Sequence, residues 1–441
     1  MPCRAIGGPY RCESTVRYAA LECMRRAALF AGGTIIMIDK RLNSCALHAL
    51  RLAIPLAVAL QGCQTLPRRD AVPLRFTEKA VVVEAPGARY FPEEDIGPML
   101  RDGVASVERE KQALASAGIP VSPLPPEYAL ALSGGGDRGA FAAGILVGWT
   151  EFGTRPEFKI VTGVSAGALI APFAFLGPQY DYVLRRAAGS LGPKDIFHWR
   201  NWLTALSGEA IADDHPLSTL INRYVTADLL LEIAREYAKG RILLIGTTDL
   251  DARQSVVWNM GAIASSSNPQ ALELFRKVLL ASASIPGIFP PVMIDVELDG
   301  KLFQEMHVDG GAMRQVFMLP RVYFQGLKDQ GTYVQRERHL FVIRNGRIDP
   351  QWAPTVRRST DVARRALEAL IDEQGISDVH HLYSAAEHDG ADFNLAYIDE
   401  GFDYPHPKQF AREFMGHLFD YAYQQSRNGY PWRKNPPKET F

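Results

Sequence analysis

Three short stretches of this 441-residue chain carry groups that could do chemistry together. The first is Gly163-Val164-Ser165-Ala166-Gly167, a GxSxG string between an apolar strand-like run and a helix-like run. In that setting the serine stands on a sharp strand-to-helix turn, and Gly163 and Gly167 leave room on both sides of it. A hydroxyl placed at a helix start is suited to attack a carbonyl carbon, because the helix end favours the negative charge that develops. The second stretch is Gly134-Gly135-Gly136-Asp137-Arg138-Gly139, whose adjacent glycines let the backbone turn sharply and present several NH groups to an anion. The third is Asp309 followed by Gly310 and Gly311. A serine hydroxyl is a poor nucleophile until a base takes its proton. Asp309 is the candidate base, and its two glycines allow close approach.

Other readings of the same residues compete. Gly134, Gly136 and Gly139 fit GxGxxG, a dinucleotide fingerprint, but that site needs an acidic residue at the end of the next strand to hold a ribose hydroxyl. The next strand ends in GVSAG instead. Within hydrolase chemistry, a full triad could draw its base from His307, His339, His380, His381 or His388. His307 lies two residues before Asp309, so on a strand it shares that residue's face and is expected as a neighbour of the base. There is no HExxH, no cysteine cluster and no calcium loop, and neither metal nor cofactor is expected.

These groups need elements to hold them. Tyr128–Ser133, Phe158–Val164, Arg241–Leu250, Gln254–Met260 and His339–Gly346 read as strands, and Val296–Val308 as a hairpin. Ala140–Phe152 and Ala166–Leu176 read as helices between them. Strands alternating with helices predict an α/β fold with a mainly parallel sheet covered on both faces. Ahead of it, Ile96, Met99, Leu100, Val104 and Val107 recur at helical spacing, with Pro98 confined to the first turn. The prolines of Ile119–Glu127 break that helix and set a boundary near Pro126. Beyond Gly346 the chain reads as helical, and Phe410, Phe414, Leu418, Phe419 and Tyr421 form a stripe that docks on the body or touches lipid. Ile145, Leu169, Phe173 and Ile288 are expected in the core, with a minority lining an acyl channel.

With 47% hydrophobic and 22% charged residues the chain can bury a large core, and a net charge of -1 leaves no footprint for nucleic acid. All five cysteines, Cys3, Cys12, Cys23, Cys45 and Cys63, fall within the first 63 residues, so no disulfide framework holds the globular part. Lys40, Arg41 and Arg51 precede the apolar Leu52–Leu60, which is too short to span a bilayer. Leu60-Gln61-Gly62-Cys63 resembles the lipobox of bacterial lipoproteins, in which cleavage exposes a cysteine that is then acylated; Gln61 is an unusual choice at its position. Met37 is a natural start for such a signal. A lipid-anchored protein of the bacterial cell envelope is therefore expected, with an ordinary secretory peptide as the alternative.

The order GGGDRG, GVSAG, ASASIPGIFPPV (Ala281–Val292) and DGG resembles the patatin-like phospholipase family over Tyr128–Val322. The resemblance implies a three-layer α/β sandwich and a dyad, with Ser165 as nucleophile and Asp309 as general base. It implies that the Gly134–Gly136 loop is the oxyanion hole, with Arg138 supplying positive charge nearby. It also implies hydrolysis of fatty-acyl esters of membrane lipids through an acyl-enzyme. Acyl transfer remains open, and a lipid-binding lipoprotein without turnover is the alternative of another class. The expected organisation is a leader over 1–62, a tether and amphipathic helix over 63–126, a catalytic domain over 127–345 and a helical extension over 346–441.

Overall fold

Ile242–Asp249 is buried at every position, as a strand covered on both faces must be. A computed structural model describes residues 66–437 apart from 201–208, 350, 353 and 407. The leader, Met37 and Cys63 lie outside the described residues. The strands are β1 (Arg89–Tyr90), β2 (Glu127–Leu132), β3 (Ile160–Gly163), β4 (His198–Trp199), β5 (Ala212–Asp213), β6 (Ile242–Asp249), β7 (Gln254–Asn259), β8 (Val292–Leu298), β9 (Lys301–Asp309), β10 (Arg338–Arg344) and β11 (Asp392–Tyr397). The main sheet has nine strands in the order β1-β7-β6-β3-β2-β10-β11, with β9 pairing β6 and β8 pairing β9. From β6 through β3, β2 and β10 to β11 all neighbours run parallel; β1, β7, β8 and β9 are antiparallel additions.

The two-residue period of a strand divides the sheet into two cores. Leu130, Leu132, Val161, Leu243, Ile245, Phe341 and Ile343 face one, while Ala129, Ala131, Ile160, Leu244, Leu340 and Val342 face the other. The second core is closed by α1 (Gly97–Ser116), through Met99 and Leu100. The first is closed by α2 (Gly139–Phe152), α3 (Ala166–Leu176) and α4 (Ala271–Ser282). Helix α5 (Ser359–Asp389) adds Val379, Leu382 and Ala386 to the second core, and α6 (Arg412–Ser426) adds Phe414, Leu418 and Phe419 to the first. Each such Leu or Phe contributes about 1.5–3 kcal/mol on burial. The result is the mainly parallel α/β sandwich read from the sequence.

Two features stand apart from that reading. Residues 346–441 are not helical throughout: β11 pairs in parallel with β10 from His339↔Asp392 to Arg344↔Tyr397 and extends the sheet at that edge. Helix α6 also lies closer to α2 than a stripe of aromatics requires. A Cβ on Gly144 would stand 2.4 Å from the Phe419 carbonyl and one on Gly148 2.5 Å from the Tyr423 carbonyl, so the two backbones touch. The hairpin of β8 and β9 turns on Asp299 and Gly300, both at positive φ, in the two-residue form that matches strand twist. Among the described residues no helix is long and apolar enough to cross a membrane.

Candidate active site

Strand β3 ends at Gly163, which pairs with Leu132 of β2 and Ile245 of β6. The chain then turns into α3 through Ser165, held at φ 54° and ψ -122°. A residue with a Cβ in that region costs about 1–3 kcal/mol, and such strain persists only where the surroundings fix it. The fixing is visible. A Cβ on Gly163 would lie 2.6 Å from the Gly167 carbonyl, and one on Gly167 2.3 Å from the Leu132 carbonyl, so the elbow admits no side chain at either place. The Ser165 amide donates to Ser282 Oγ at 3.0 Å, and that hydroxyl donates to the Gly246 carbonyl at 2.7 Å.

Asp309 arrives from the antiparallel side. It ends β9 opposite Thr247 of β6, two residues beyond the Ile245 that pairs with Gly163. Its main chain is pinned: its amide donates to the Ser284 carbonyl at 2.9 Å and its carbonyl accepts from Thr248 Oγ1 at 3.1 Å. Ser165 is 7% exposed and Asp309 5%. The carboxylate accepts on Oδ1 from the Gly311 amide at 2.7 Å, and the Ser165 hydroxyl lies near enough to favour its anion. Burial pushes the Asp309 carboxyl up to about 7, against the pull of those two donors toward the anion.

The glycine loop follows β2 at the same sheet edge. A Cβ on Gly134 would stand 3.3 Å from the Ser165 Cβ, which sets the loop against the nucleophile. The Gly134 amide itself donates to the Gln315 carbonyl at 2.9 Å, so it is not one of the free donors expected of the loop. Gly135, at φ 154°, and Gly136, at φ 58°, have amides with no hydrogen-bond acceptor among the described residues. Gly135 is required for space too, since a Cβ there would meet the Asn345 carbonyl at 2.3 Å. Gly139 closes the turn where a Cβ would lie 3.0 Å from Ala166. Arg138, in the same loop, places its guanidinium 3.6 Å from Asp372 of α5.

Three further residues hold the site, and the sequence reading missed them. Gln315 bridges its two halves, taking the Gly134 amide on its carbonyl and donating Nε2 to the Gly311 carbonyl at 2.9 Å. Asn345, just past β10, donates Nδ2 to the Ser133 carbonyl at 2.9 Å and accepts from the Ala142 amide at 3.1 Å, tying the glycine loop to α2. Ser282 supports the elbow from α4. Asn345 carried a local signal, as a small polar residue closing an apolar strand at the sheet edge, and Ser282 lies within the Ala281–Val292 motif; Gln315 acts through partners that its own neighbourhood does not suggest.

The histidines stand elsewhere. His307 is fully buried, with Nδ1 3.0 Å from Thr247 Oγ1 and Nε2 3.2 Å from Glu305 Oε2. Glu305 pairs in turn with buried Arg89; burial alone would raise its carboxyl, but Arg89 and His307 hold it down at about 2. Both ring nitrogens of His307 are engaged, and neither is left for the Ser165 proton. His339 stacks on Tyr128 and bonds Glu337 and Asp392 near the start of β10, away from the edge that carries Ser165. His380, His381 and His388 lie on α5. His307→Gln is accordingly expected to lower stability by about 1–3 kcal/mol through unpaired buried groups, while Ser165-dependent esterase activity per folded molecule stays within about threefold; thermal melts and initial rates check this.

A strained serine at a strand-to-helix turn, a buried carboxylate on its hydroxyl and two free glycine amides, all at the edge of a parallel sheet, have the layout of a serine esterase site on an α/β scaffold. Residues 130–320 match the family model described as Patatin-like phospholipase. Solved structures also match, among them VipD from Legionella pneumophila, 14% identical over 69% of this chain and 67% of that one with a TM-score of 0.29, too distant a likeness to argue from. No curated protein matches the chain.

Proposed function

We propose that this protein is a serine lipid acyl hydrolase that cleaves fatty-acyl esters of phospholipids through Ser165 and Asp309. The observation that carries the reading is the placing of the Ser165 hydroxyl, on its strained turn, beside a buried carboxylate; burial lifts that group to about 7. A base so placed holds no proton at mildly alkaline pH and accepts one more readily than an ordinary aspartate. Ser165 Oγ attacks the ester carbonyl carbon as its proton passes to Asp309. The carbonyl oxygen becomes an oxyanion facing the Gly135 and Gly136 amides. The intermediate collapses, the C–O bond to the lipid alcohol breaks, and Asp309 returns the proton to that leaving oxygen. Water then attacks the acyl-enzyme, giving its proton to Asp309, and the fatty acid departs as Ser165 recovers its hydrogen.

Lipid mass spectrometry on mixed phospholipids tests this. Free fatty acid and lysophospholipid should appear with the parent chain and not with Ser165→Ala. Gly135→Ala should be at least about 100-fold slower, because its methyl group displaces an oxyanion donor against the Asn345 carbonyl; initial rates on one ester report it. We also propose that Cys63 carries the lipid anchor that brings the site to a membrane surface in the bacterial envelope. Cys63→Ser should then move the protein from the membrane pellet to the soluble fraction on centrifugation.

A further inference from the structure

Two residues of the C-terminal stretch, outside the matched residues 130–320, are tied directly to the glycine loop. Asp137, buried within that loop, accepts on Oδ2 from the Phe410 amide at 2.6 Å and from His406 Nε2 at 2.7 Å. Phe410 is held at φ 56°, a region that a residue with a bulky side chain enters only when its surroundings compel it. Held so, its ring lies 3.9 Å from where a Cβ on Gly136 would stand, beside one of the free amides. It meets Phe197 edge-on with centroids 5.9 Å apart, and Phe197 meets Phe289 at 6.1 Å. These rings form a small apolar cluster that includes Ile285 and Ile288, with Phe410 also packing against the first core. Its other end reaches the base, because Ser284, next to Ile285, accepts from the Asp309 amide. An apolar cluster therefore links the ring beside the Gly136 amide to the backbone that holds Asp309, and Phe410, Ile285 and Ile288 in it are only half-buried. The other apolar space nearby, a cavity of about 400 Å³ lined by Val164, Gly310, Phe317 and Met318, is lined by neither Ser165 nor Asp309.

We propose that this cluster is the wall of the acyl subsite: the alkyl chain of the ester lies along Phe410, Ile285 and Ile288 while its carbonyl oxygen faces the Gly135 and Gly136 amides. Phe410 is a specificity-determining residue, and His406 is a positioning residue that acts through Asp137. The proposal rests on the reading of the chain as an ester hydrolase. Each methylene buried on such a wall improves binding about fourfold, so the preference for long over short chains reports its presence.

The test is the ratio of kcat/KM for p-nitrophenyl laurate to that for p-nitrophenyl butyrate, measured on the full chain, Phe410→Ala, Phe410→Leu, His406→Ala, His406→Gln and Met318→Trp, with folding checked by circular dichroism. The laurate-to-butyrate ratio should fall at least about tenfold in Phe410→Ala and at least about threefold in His406→Ala, through KM more than kcat. Phe410→Leu should lie between Phe410→Ala and the parent. His406→Gln, whose side-chain amide can still donate to Asp137, should recover most of the parent ratio. A ratio unchanged in folded Phe410 variants overturns the proposal, as does one that moves only in Met318→Trp, which would put the chain in the cavity. Absence of Ser165-dependent cleavage of either ester would instead sink the hydrolase reading. The wall is then judged by fluorescence titration of a non-hydrolysable dodecyl ether analogue into Ser165→Ala: Phe410→Ala in that background should weaken binding at least about fivefold, and equal binding overturns it.

Discussion

A folded Ser165→Ala protein should release fatty acid from phospholipid at least about 10³-fold more slowly than the parent chain, because the atom that forms the acyl-enzyme bond is gone. The substitution isolates chemistry from folding. The Ser165 side chain lies beside Asp309, and its backbone conformation, fixed by Gly163, Gly167 and Ser282, is as accessible to alanine as to serine. Losing the hydroxyl removes one of the two donors that hold the Asp309 carboxyl down, so that group should move further up and become neutral over a wider pH range. Stability near pH 7 should therefore change little while turnover disappears. Melting curves and lipid mass spectrometry on the same preparation separate the two quantities.

Asp309→Asn should cost about 10²-fold to 10⁴-fold in kcat/KM, since an amide can orient the hydroxyl but cannot take its proton. The pH profile makes the expectation sharper. With the carboxyl pushed up to about 7, kcat/KM of the parent should rise tenfold per pH unit below that value and level off above it, and the residual activity of Asp309→Asn should lack that limb. The stability sign is opposite. A folded-state value raised above the ordinary 3.8 means that the contribution of Asp309 to stability is fully present below about 3.8 and lost as pH rises through about 7. At pH 8 the parent buries a charge that Asp309→Asn does not, so the inactive variant should melt higher there than the parent and show a smaller advantage at pH 5. A site that stores destabilisation for function behaves in this way.

What was legible in the sequence was local. The elbow reads from five residues because two glycines and a serine between a strand and a helix admit few other conformations, and β2, β3 and β6 read from apolar runs that a doubly covered sheet demands. Contacts between distant segments were not legible. The Gly134 amide looks free in GGGDRG until Gln315 folds back on it. Asp137 looks like part of an anion loop, yet its carboxylate is an acceptor already filled by His406 and Phe410. His307 shares a strand with the base, but its neighbours Thr247, Glu305 and Trp258 draw it into a buried network whose cation, Arg89, comes from the two-residue strand β1. Strand β11, six residues long, follows a 31-residue helix, and its pairing with β10, not its own pattern, makes it a strand.

The most direct measurement is site-mapped labelling with a fluorophosphonate, which reacts with a serine only when a base and an oxyanion site activate it. Peptide mass spectrometry on the labelled full chain should place one phosphonate on Ser165, at a rate that climbs through pH 7 and collapses in Asp309→Asn. A label on another residue, or an unlabelled Ser165 in a preparation that still cleaves fatty-acyl esters, would contradict the assignment of Ser165 and Asp309.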